Sequence, residues 1–403
     1  MNILYLSQYF PPEMGAPAAR VYELSREWVR RGHEVTVLTG FPNHPIGVIP
    51  PEYRGQFVRR ERVDGIKVVR TPIYAAANKG FLRRSLNYVS YGGSASALGP
   101  FLTSRPDVII ATSPQFLTAV AGLWVSTVKR VPFVFEVRDL WPRSIVEVGA
   151  LKATSAIVKG LERMERFLYR RADHIVVVTE SFVDEISAHG IDRRKMTVIT
   201  NGVDLDLFAP RSRDSARRAL GLPDGFLATY VGTHGMAHGL GTVLDAAKLA
   251  PSTTFLLVGE GAEKAALRNK AAFEGIQNVL FWDQQPRERV PDIIAASDAC
   301  LVLLRDKPLF RTVIPSKIFE FMGAARPIVT TVDGESRAIV DRAKAGVFSP
   351  PEDAARLAST LRDLSRAPDR LASMGQSGRS YVEQNYSRPA LAGRYLETLQ
   401  AVA

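Results

Sequence analysis

A lysine and a glutamate stand three residues apart in the segment TVIPSKIFEFMGAARPIV, residues 312–329. Pro315 suits the first turn of a helix, in which Lys317 and Glu320 would share one face near the start. An ammonium beside the backbone amides of Ser316 and Lys317 could hold a diphosphate, and a carboxylate one turn later could accept hydrogen bonds from a ribose. A surface ion pair would show the same spacing, so the pattern predicts either a nucleotide site or an exposed pair.

Three glycine-rich loops that follow predicted strands could bind an anion through backbone amides. The first loop contains Gly15, just before a helical pattern in which Arg20 could add charge. The second, VGTHGMAHGLG, has several glycines from Gly232 onward, and the third, VGEGAEK, contains Gly259. The second loop matches neither a Walker A loop nor the G-x-G-x-x-G pattern. Plain turns between strands and helices would also explain these loops.

The chain alternates short, continuously apolar runs with helical patterns. Runs such as NILYLS, DVIIA, LATYVG and ACLVLL are typical of parallel strands that helices cover on both faces. Two such series predict an α/β protein with two doubly wound domains, which bind ligands beyond the carboxyl ends of their strands. The turn-rich residues 200–215 are the predicted linker. In the opening segment, the face predicted to pack on the sheet comprises Ile318, Phe319, Met322 and Ala325.

Composition limits the class of protein. The chain has 403 residues, of which 46% are hydrophobic and 23% are charged, as in ordinary globular proteins. Its single cysteine, Cys300, cannot form an internal disulfide and fits a reducing compartment. The first ten residues read as a strand and not as a signal peptide. The most apolar long run, residues 116–128, is too short to cross a bilayer.

The formal net charge is +11, and most of the excess lies in residues 1–204. Such an excess suggests an anionic partner: nucleic acid, an anionic membrane surface or phosphate. The strands show no compact aromatic and basic platform, so we expect no nucleic acid. Residues 78–102 predict either a membrane-interface helix or an ordinary packed helix. The basic and apolar residues interleaved there are Lys79, Phe81, Leu82, Arg83, Arg84, Leu86, Tyr88 and Tyr91.

Two motifs resemble metal sites. Asp204 and Asp206 form a D-x-D pattern inside the predicted linker. His234 and His238 are spaced like two zinc ligands on a helix, but a glycine-rich loop is not a helix and no third ligand is evident. We therefore expect no metal, and we expect that a histidine of this loop could face the diphosphate instead.

Several segments together resemble the GT-B glycosyltransferases of family 4, within them the N-acetyl-L-fucosamine transferase-like group of bacterial surface polysaccharide biosynthesis. These segments are YFPPEMGAPAARVYEL, RGHEVTVLTGFP, EVRDLWPRS, TNGVDLDLF, GLGTVLDAA, VGEG, IPSKIFEFMGAARPIV and SRPALAGRYLETL. The resemblance implies two Rossmann-like domains that face a cleft. Residues 1–204 would bind the acceptor, and residues 386–403 would cross back to them. Residues 205–385 would bind the nucleotide-sugar, and transfer would retain the anomeric configuration without a metal.

The resemblance also implies roles for individual residues. Glu320 matches the second glutamate of the family's E-x7-E motif, whereas the first glutamate is replaced by Thr312. The loop that often carries an arginine and a lysine on the diphosphate has neither here. The donor-binding residues would then be Gly15, Gly232, Thr233, His234, Gly235, His238, Gly259, Arg311, Ser316, Lys317 and Glu320.

Arg138 and Asp139 occupy the region where members often carry an active-site histidine, and with Lys317 they are the catalytic candidates. Arg20 is the candidate for acceptor binding. The leaving diphosphate could itself take the proton of the acceptor, so that no strong general base is needed.

The sequence thus predicts a retaining transferase that moves a sugar from a UDP-sugar to a saccharide on a polyprenyl diphosphate. It would work in the cytoplasm, peripherally on the inner face of the cytoplasmic membrane. A non-hydrolysing sugar-nucleotide epimerase of the same architecture and a basic nucleic-acid-binding protein are the alternatives. Product analysis without an acceptor would distinguish the epimerase from the transferase.

Overall fold

In the computed structural model the chain divides into two compact units. Unit 1 comprises Met1–Thr200 and Arg388–Ala403, and unit 2 comprises Asn201–Ser387. The structure describes residues 1–13, 15–44, 46–76, 81–113, 115–143, 146, 152 and 154–403, without the side chains of Phe81 and Leu82.

Unit 1 is built on an eight-stranded sheet in the order β3-β4-β2-β1-β5-β6-β7-β8. All neighbouring strands are parallel except β3, which runs antiparallel to β4. The strands are β1 (Asn2–Leu6), β2 (Glu34–Gly40), β3 (Arg59–Val63), β4 (Ile66–Thr71), β5 (Val108–Thr112), β6 (Phe133–Val137), β7 (His174–Val177) and β8 (Met196–Val198).

The helices of unit 1 connect these parallel strands. They are α1 (Ala16–Arg30), α2 (Phe81–Leu102), α3 (Phe116–Lys129), α4 (Ala156–Arg171) and α5 (Glu180–Ala188). Ser155 and Thr179 cap α4 and α5 by accepting hydrogen bonds from backbone amides of the first turn. No helix of the described residues is both long enough and apolar enough to cross a membrane.

Unit 2 contains a six-stranded, fully parallel sheet in the order β11-β10-β9-β12-β13-β14. Its strands are β9 (Phe226–Val231), β10 (Thr253–Val258), β11 (Val279–Trp282), β12 (Ala299–Val302), β13 (Ile328–Thr330) and β14 (Gly346–Phe348). Its helices are α6 (Arg213–Leu220), α7 (Gly241–Leu249), α8 (Lys264–Phe273), α9 (Val290–Ala295), α10 (Lys317–Gly323), α11 (Glu335–Arg342), α12 (Ala354–Ser365) and α13 (Pro368–Asn385).

The last helix, α14 (Arg388–Val402), belongs to unit 1 and packs on α1. The rings of Trp28 and Tyr395 meet edge to face, with centroids 5.3 Å apart. The indole nitrogen of Trp28 donates a hydrogen bond to the carbonyl oxygen of Ala392 at 3.0 Å. Arg388 and Glu23, both buried, form an ion pair of 2.5 Å between the same helices.

The predicted fold class is confirmed, since both sheets are Rossmann-like and every predicted strand forms. The segment 317–329 differs from its prediction in one respect. Ile318, Phe319 and Met322 are buried as expected, but α10 ends at Gly323. Ala325 follows it with a φ of 53°, so Ala325 is not part of the helical face.

Candidate active site

Two glycine-rich loops of unit 2 lie against each other at the carboxyl ends of β9 and β10. Gly259 has a φ of 147°, and a Cβ atom on it would lie 1.9 Å from the carbonyl oxygen of Gly232. A Cβ on Gly261 would lie 2.4 Å from the carbonyl oxygen of His234. The amide of His234 donates to the carbonyl oxygen of Glu260 at 2.8 Å. Glycine is required at this contact because any side chain would separate the loops.

Lys317, the first residue of α10, reaches the loop after β9. Its Nζ atom lies 3.8 Å from the ring centroid of Tyr230 and 2.6 Å from the place that a Cβ on Gly232 would take. The Tyr230 hydroxyl donates to the carbonyl oxygen of the exposed Thr233 at 2.9 Å, which holds the ring beside the loop. Burial lowers the pKa of Lys317 to about 7, and the carboxylate of Glu320 opposes this shift. The sequence analysis did not single out Tyr230.

The two histidines of this loop add no positive charge near neutral pH. Burial, reinforced by the charge of Lys264, lowers the pKa of His234 to about 4. Burial and the charge of Lys317 lower the pKa of His238 to about 3. The ring of His234 is fully buried, and neither of its nitrogens has a hydrogen-bond partner among the described residues. The side chain of His234 is therefore enclosed by protein, and only its backbone lines the surface of the glycine-rich loop. This corrects the expectation that the side chain faces the diphosphate.

The apparent metal motifs have other local explanations. The amide of His238 donates to the carbonyl oxygen of Gly235 at 3.0 Å, so that His234 and His238 lie in a turn and not on a helix. In the D-x-D pattern, the carboxylate of Asp204 accepts a hydrogen bond from the amide of Asp206 at 3.2 Å. Within the described parts of the chain, no group of three or more His, Cys, Asp and Glu could hold a metal ion.

Glu320, Arg311 and Ser316 complete the predicted donor set. Glu320 lies one turn after Lys317, and its carboxylate is 3.9 Å from Arg287, a residue of the loop after β11 that the sequence analysis did not connect to it. Arg311 is 3.2 Å from Asp306, and more than half of its side chain is exposed. Ser316 has helical backbone angles and makes no capping bond through its side chain.

In unit 1, Arg138 lies beside the first glycine-rich loop. Its guanidinium donates to the carbonyl oxygen of Ala16 at 3.1 Å, next to Gly15, whose φ of 130° precedes α1. The backbone amides of Arg138 and Asp139 both donate to the hydroxyl of Ser113, at 2.7 and 3.2 Å. Burial lowers the pKa of Arg138 to about 10, so the side chain stays charged near neutral pH. The fold therefore brings Gly15, Arg138 and Asp139 into one neighbourhood.

Arg20 has a structural role that corrects its assignment to the acceptor. Its side chain is 1% exposed, and Nε donates to the carboxylate of Glu136 at 2.9 Å. Its two terminal nitrogens donate to the carbonyl oxygens of Thr200 and Ile199, both at 2.8 Å. The hydroxyl of Tyr5 donates to the other oxygen of Glu136 at 2.6 Å. Arg20 therefore holds Ile199 and Thr200, at the end of the segment Met1–Thr200 of unit 1, and is not available to a ligand.

Glu13, in the loop after β1, is a buried acid that the sequence analysis missed. One of its carboxylate oxygens accepts hydrogen bonds from the backbone amides of Asn43 and His44, each at 2.9 Å. The residue is 6% exposed, and burial raises its pKa to about 7. The only sequence signal was an acid inside a proline-rich turn between apolar residues.

Most of the chain matches family models of glycosyl transferases. Residues 15–202 match the model of the glycosyl transferase 4-like domain, and residues 226–367 match that of glycosyl transferases group 1. WcaI of Escherichia coli (strain K12), named for colanic acid biosynthesis, is 24% identical over 83% of this chain and 84% of its own length.

Solved structures show the same fold. Sucrose-phosphate synthase of Thermosynechococcus elongatus has a TM-score of 0.79 at 18% identity, with both chains covered completely. Anabaena HepE, solved in complex with UDP and glucose, has a TM-score of 0.73 at 18% identity over 99% of both chains. Since both family models describe glycosyl transferases, the comparisons favour transfer over the epimerase and the nucleic-acid-binding alternatives. Together with the two Rossmann-like units, they establish that the chain belongs to the GT-B glycosyltransferases of family 4.

Proposed function

We propose that the protein transfers a sugar from a UDP-sugar, bound in unit 2, to a saccharide carried on a polyprenyl diphosphate. The observation that carries the donor assignment is Lys317, whose ammonium lies over Tyr230 at the glycine-rich loops. Glu320, one turn later, supplies a carboxylate suited to a ribose. The choice of UDP is supported by HepE, which was solved with that nucleotide.

Substitution of the two donor residues tests this site. Lys317→Ala and Glu320→Ala should each weaken UDP binding at least tenfold, or about 1.4 kcal/mol. Lys307→Ala and Glu274→Ala are matched controls, because both side chains are exposed in the same unit. Calorimetry that finds the same UDP affinity in the wild type and in both donor-site variants would reject the site.

We propose that transfer retains the anomeric configuration, with the leaving diphosphate taking the proton of the acceptor. Lys317 would stabilise the negative charge that develops on this diphosphate. Arg138 and Asp139 would contact the donor sugar or the acceptor. Asp139→Asn should then lower kcat at least tenfold and leave UDP affinity unchanged, while NMR of the product should show a retained anomeric configuration. An inverted product would contradict the mechanism.

We propose that the reaction needs no metal ion. Activity should therefore survive EDTA, as measured by sugar release from the nucleotide in the presence of acceptor. Loss of activity that Mg²⁺ or Mn²⁺ restores would show that a metal ion, and not Lys317 alone, neutralises the diphosphate.

A membrane-bound acceptor requires unit 1 to work at the inner face of the cytoplasmic membrane. Among the described side chains of α2, three apolar ones are strongly exposed: Leu86 at 46%, Val89 at 55% and Phe101 at 85%. On α3, which packs beside α2, Trp124 is 53% exposed and Val128 is 47% exposed. Basic residues near such a surface add about 1 kcal/mol each on an anionic membrane.

The structure changes which residues of the segment 78–102 would enter the membrane. Tyr91 is fully buried and donates to the carbonyl oxygen of Leu38 at 2.8 Å, so it cannot insert. Tyr88 is half-buried. Lys79 and the side chains of Phe81 and Leu82 lie outside the described residues.

Vesicle co-sedimentation tests the membrane proposal. The protein should pellet with anionic vesicles and not with neutral ones, and less so as salt shortens the Debye length from ~10 Å at 0.1 M to ~3 Å at 1 M. The triple change Lys79→Glu, Arg83→Glu, Arg84→Glu should reduce pelleting. If the protein stays in the supernatant with anionic vesicles at low salt, a soluble acceptor becomes the better proposal.

A further inference from the structure

Tyr230 lies on β9, an interior strand of the sheet of unit 2. This strand pairs with β10 on one side and with β12 on the other, and Tyr230 stands opposite Leu257 of β10. The residue is fully buried, and it belongs to the same core cluster as Leu240 and Leu244. The sheet and the core therefore fix the position of its ring.

Three side chains that contain nitrogen surround this ring. The Nζ atom of Lys317 lies 3.8 Å from the ring centroid, and the rings of His234 and His238 have centroids 6.0 and 5.9 Å from it. Because burial lowers the pKa of both histidines, they stay neutral near pH 7. Among these three groups, Lys317 supplies the positive charge that the face of a tyrosine ring attracts.

The backbone of Gly232 leaves room for the ammonium on this ring. A Cβ atom on Gly232 would lie 2.6 Å from Nζ of Lys317 and 3.3 Å from the hydroxyl oxygen of Tyr230. The same hydroxyl donates to the carbonyl oxygen of Thr233 at 2.9 Å. Tyr230 therefore contacts two parts of the candidate donor site, since its ring contacts the lysine and its hydroxyl holds the glycine-rich loop.

The ammonium of Lys317 needs such a support because its flexible four-carbon stem does not fix it. Within the described parts of the chain it forms no ion pair, and the ring of Tyr230 is the group that holds it. A binding group that is already in place when the ligand arrives gives higher affinity, because less conformational entropy is lost on binding.

We propose that Tyr230 is a positioning residue of the donor site, whose ring holds the ammonium of Lys317 against Gly232 in the place where it binds the donor diphosphate. The ammonium then lies between the ring and the diphosphate and contacts both. Tyr230 itself, being fully buried, acts only through the lysine and the loop. This inference rests on the proposed function, because it assumes that Lys317 binds the diphosphate.

A double-mutant cycle, measured by calorimetry of UDP binding to the full chain, tests this role. Tyr230→Leu removes the ring and Lys317→Met removes the charge, and each should weaken UDP binding about tenfold. The double variant should bind within about twofold of Lys317→Met alone, because the ring acts through the ammonium. Phe348→Leu is the matched control and should keep the affinity of the wild type. It removes a ring that lies 4.2 Å from the guanidinium of Arg337, on the edge strand β14 of the same sheet.

A second series keeps the shape of the core and changes only the electrons of the ring. Tyr230→Phe retains the ring and should bind UDP within about threefold of the wild type. Adding one, two or three fluorine atoms to this phenylalanine withdraws electrons from the ring face and weakens its attraction for a cation. UDP affinity should then fall with each fluorine, by roughly fivefold in total, and fluorination should have no effect when Lys317 is replaced by methionine. This series tests the inference even if Tyr230→Leu does not fold.

The outcomes separate this inference from the proposed function. If the losses in Tyr230→Leu and Lys317→Met add, or if fluorination leaves UDP affinity unchanged, the role of Tyr230 is structural and the inference is overturned, while the donor site stands. A loss in Tyr230→Phe as large as that in Tyr230→Leu overturns it as well, because the hydroxyl and not the ring would then be responsible. Full UDP affinity in Lys317→Met would instead reject the proposed donor site itself.

Discussion

In unit 1 the buried guanidinium of Arg20 lies 2.9 Å from the carboxylate of Glu136, whereas in unit 2 the ammonium of Lys317 lies 3.8 Å from the ring of Tyr230. Arg20 also donates to two backbone carbonyls, so its hydrogen bonds are made within the protein. Lys317 sits on a surface of glycine backbone without an ion pair among the described residues. A buried cation whose hydrogen bonds are made within the protein stabilises the fold, whereas a cation without an ion pair is available to bind an anionic ligand.

The largest effect that this comparison predicts is on stability. Arg20→Ala would remove the cationic partner of the buried carboxylate of Glu136, to which only neutral donors such as the Tyr5 hydroxyl would remain, and the donors to two carbonyl oxygens. We expect it to lower the free energy of unfolding by about 3–5 kcal/mol, which is the typical cost of breaking a buried pair. Arg30→Ala, which removes a largely exposed partner of Glu27, is the control and should cost less than about 1 kcal/mol.

Denaturant unfolding measures both variants, and calorimetry with UDP supplies a second readout. The folded fraction of Arg20→Ala should bind UDP as the wild type does, because its contacts lie in unit 1. Equal stability of Arg20→Ala and Arg30→Ala would contradict the comparison between Arg20 and Lys317, because the buried contacts of Arg20 would then not stabilise unit 1.

The next effect is on the pH dependence of stability and concerns Glu13, a buried acid of unit 1. Glu13 has its pKa raised to about 7 by burial, so the folded protein binds a proton there that the unfolded chain has lost above about pH 4.5. Stability must therefore fall as the pH rises from about 4.5 to 7, by up to about 3 kcal/mol for this group. Glu165, whose pKa burial also raises to about 7, adds in the same direction.

Glu13→Gln tests this effect because its amide oxygen can still accept from the amides of Asn43 and His44. Thermal unfolding between pH 5 and pH 8 should show a smaller loss of stability in the variant than in the wild type. An unchanged pH dependence would show that groups other than Glu13 cause the loss of stability. Lys317 would then be the better-supported case of a charge without an ion pair.

The prediction of intermediate size concerns the backbone surface under Lys317. Gly259→Ala would place a Cβ 1.9 Å from the carbonyl oxygen of Gly232, so the two loops must separate. We expect at least a tenfold loss of UDP affinity, about 1.4 kcal/mol. Gly241→Ala, at the start of α7 in the same unit, is the matched control, because no atom lies within 4 Å of the place that its Cβ would take. Similar losses in both variants would show that this contact does not shape the site.

The interior of both sheets could be predicted from sequence because buried parallel strands are continuously apolar. The three strands that the sequence analysis missed, β3, β8 and β14, all lie at sheet edges. β3 alternates half-buried and exposed residues in the mostly charged segment RRERV, and β8 and β14 have three residues each, so none produces that signal.

The local arrangement of the candidate site was predictable where its residues are close in sequence and not where they meet only in the fold. Lys317 and Glu320 stand in one helix and share a local pattern. Tyr230 contacts Lys317 from a different strand, and Glu136 contacts Arg20 from 116 residues away. For that reason Arg20 was assigned to a ligand although its partners lie inside the protein.

The smallest expected effect concerns Arg311, which the sequence analysis placed on the diphosphate. Its guanidinium lies 3.2 Å from Asp306, and the two side chains are 56% and 50% exposed. Such exposed pairs contribute about 0.2–1 kcal/mol, and the Debye length of about 8 Å at 0.15 M salt screens their field. Arg311→Ala should therefore change UDP affinity by less than about twofold at that salt concentration, which is about 0.4 kcal/mol. If calorimetry instead finds a loss as large as that of Lys317→Ala, Arg311 must leave Asp306 for the diphosphate. Unit 2 would then offer the donor two cations, and the contrast with unit 1 would no longer depend on Lys317 alone.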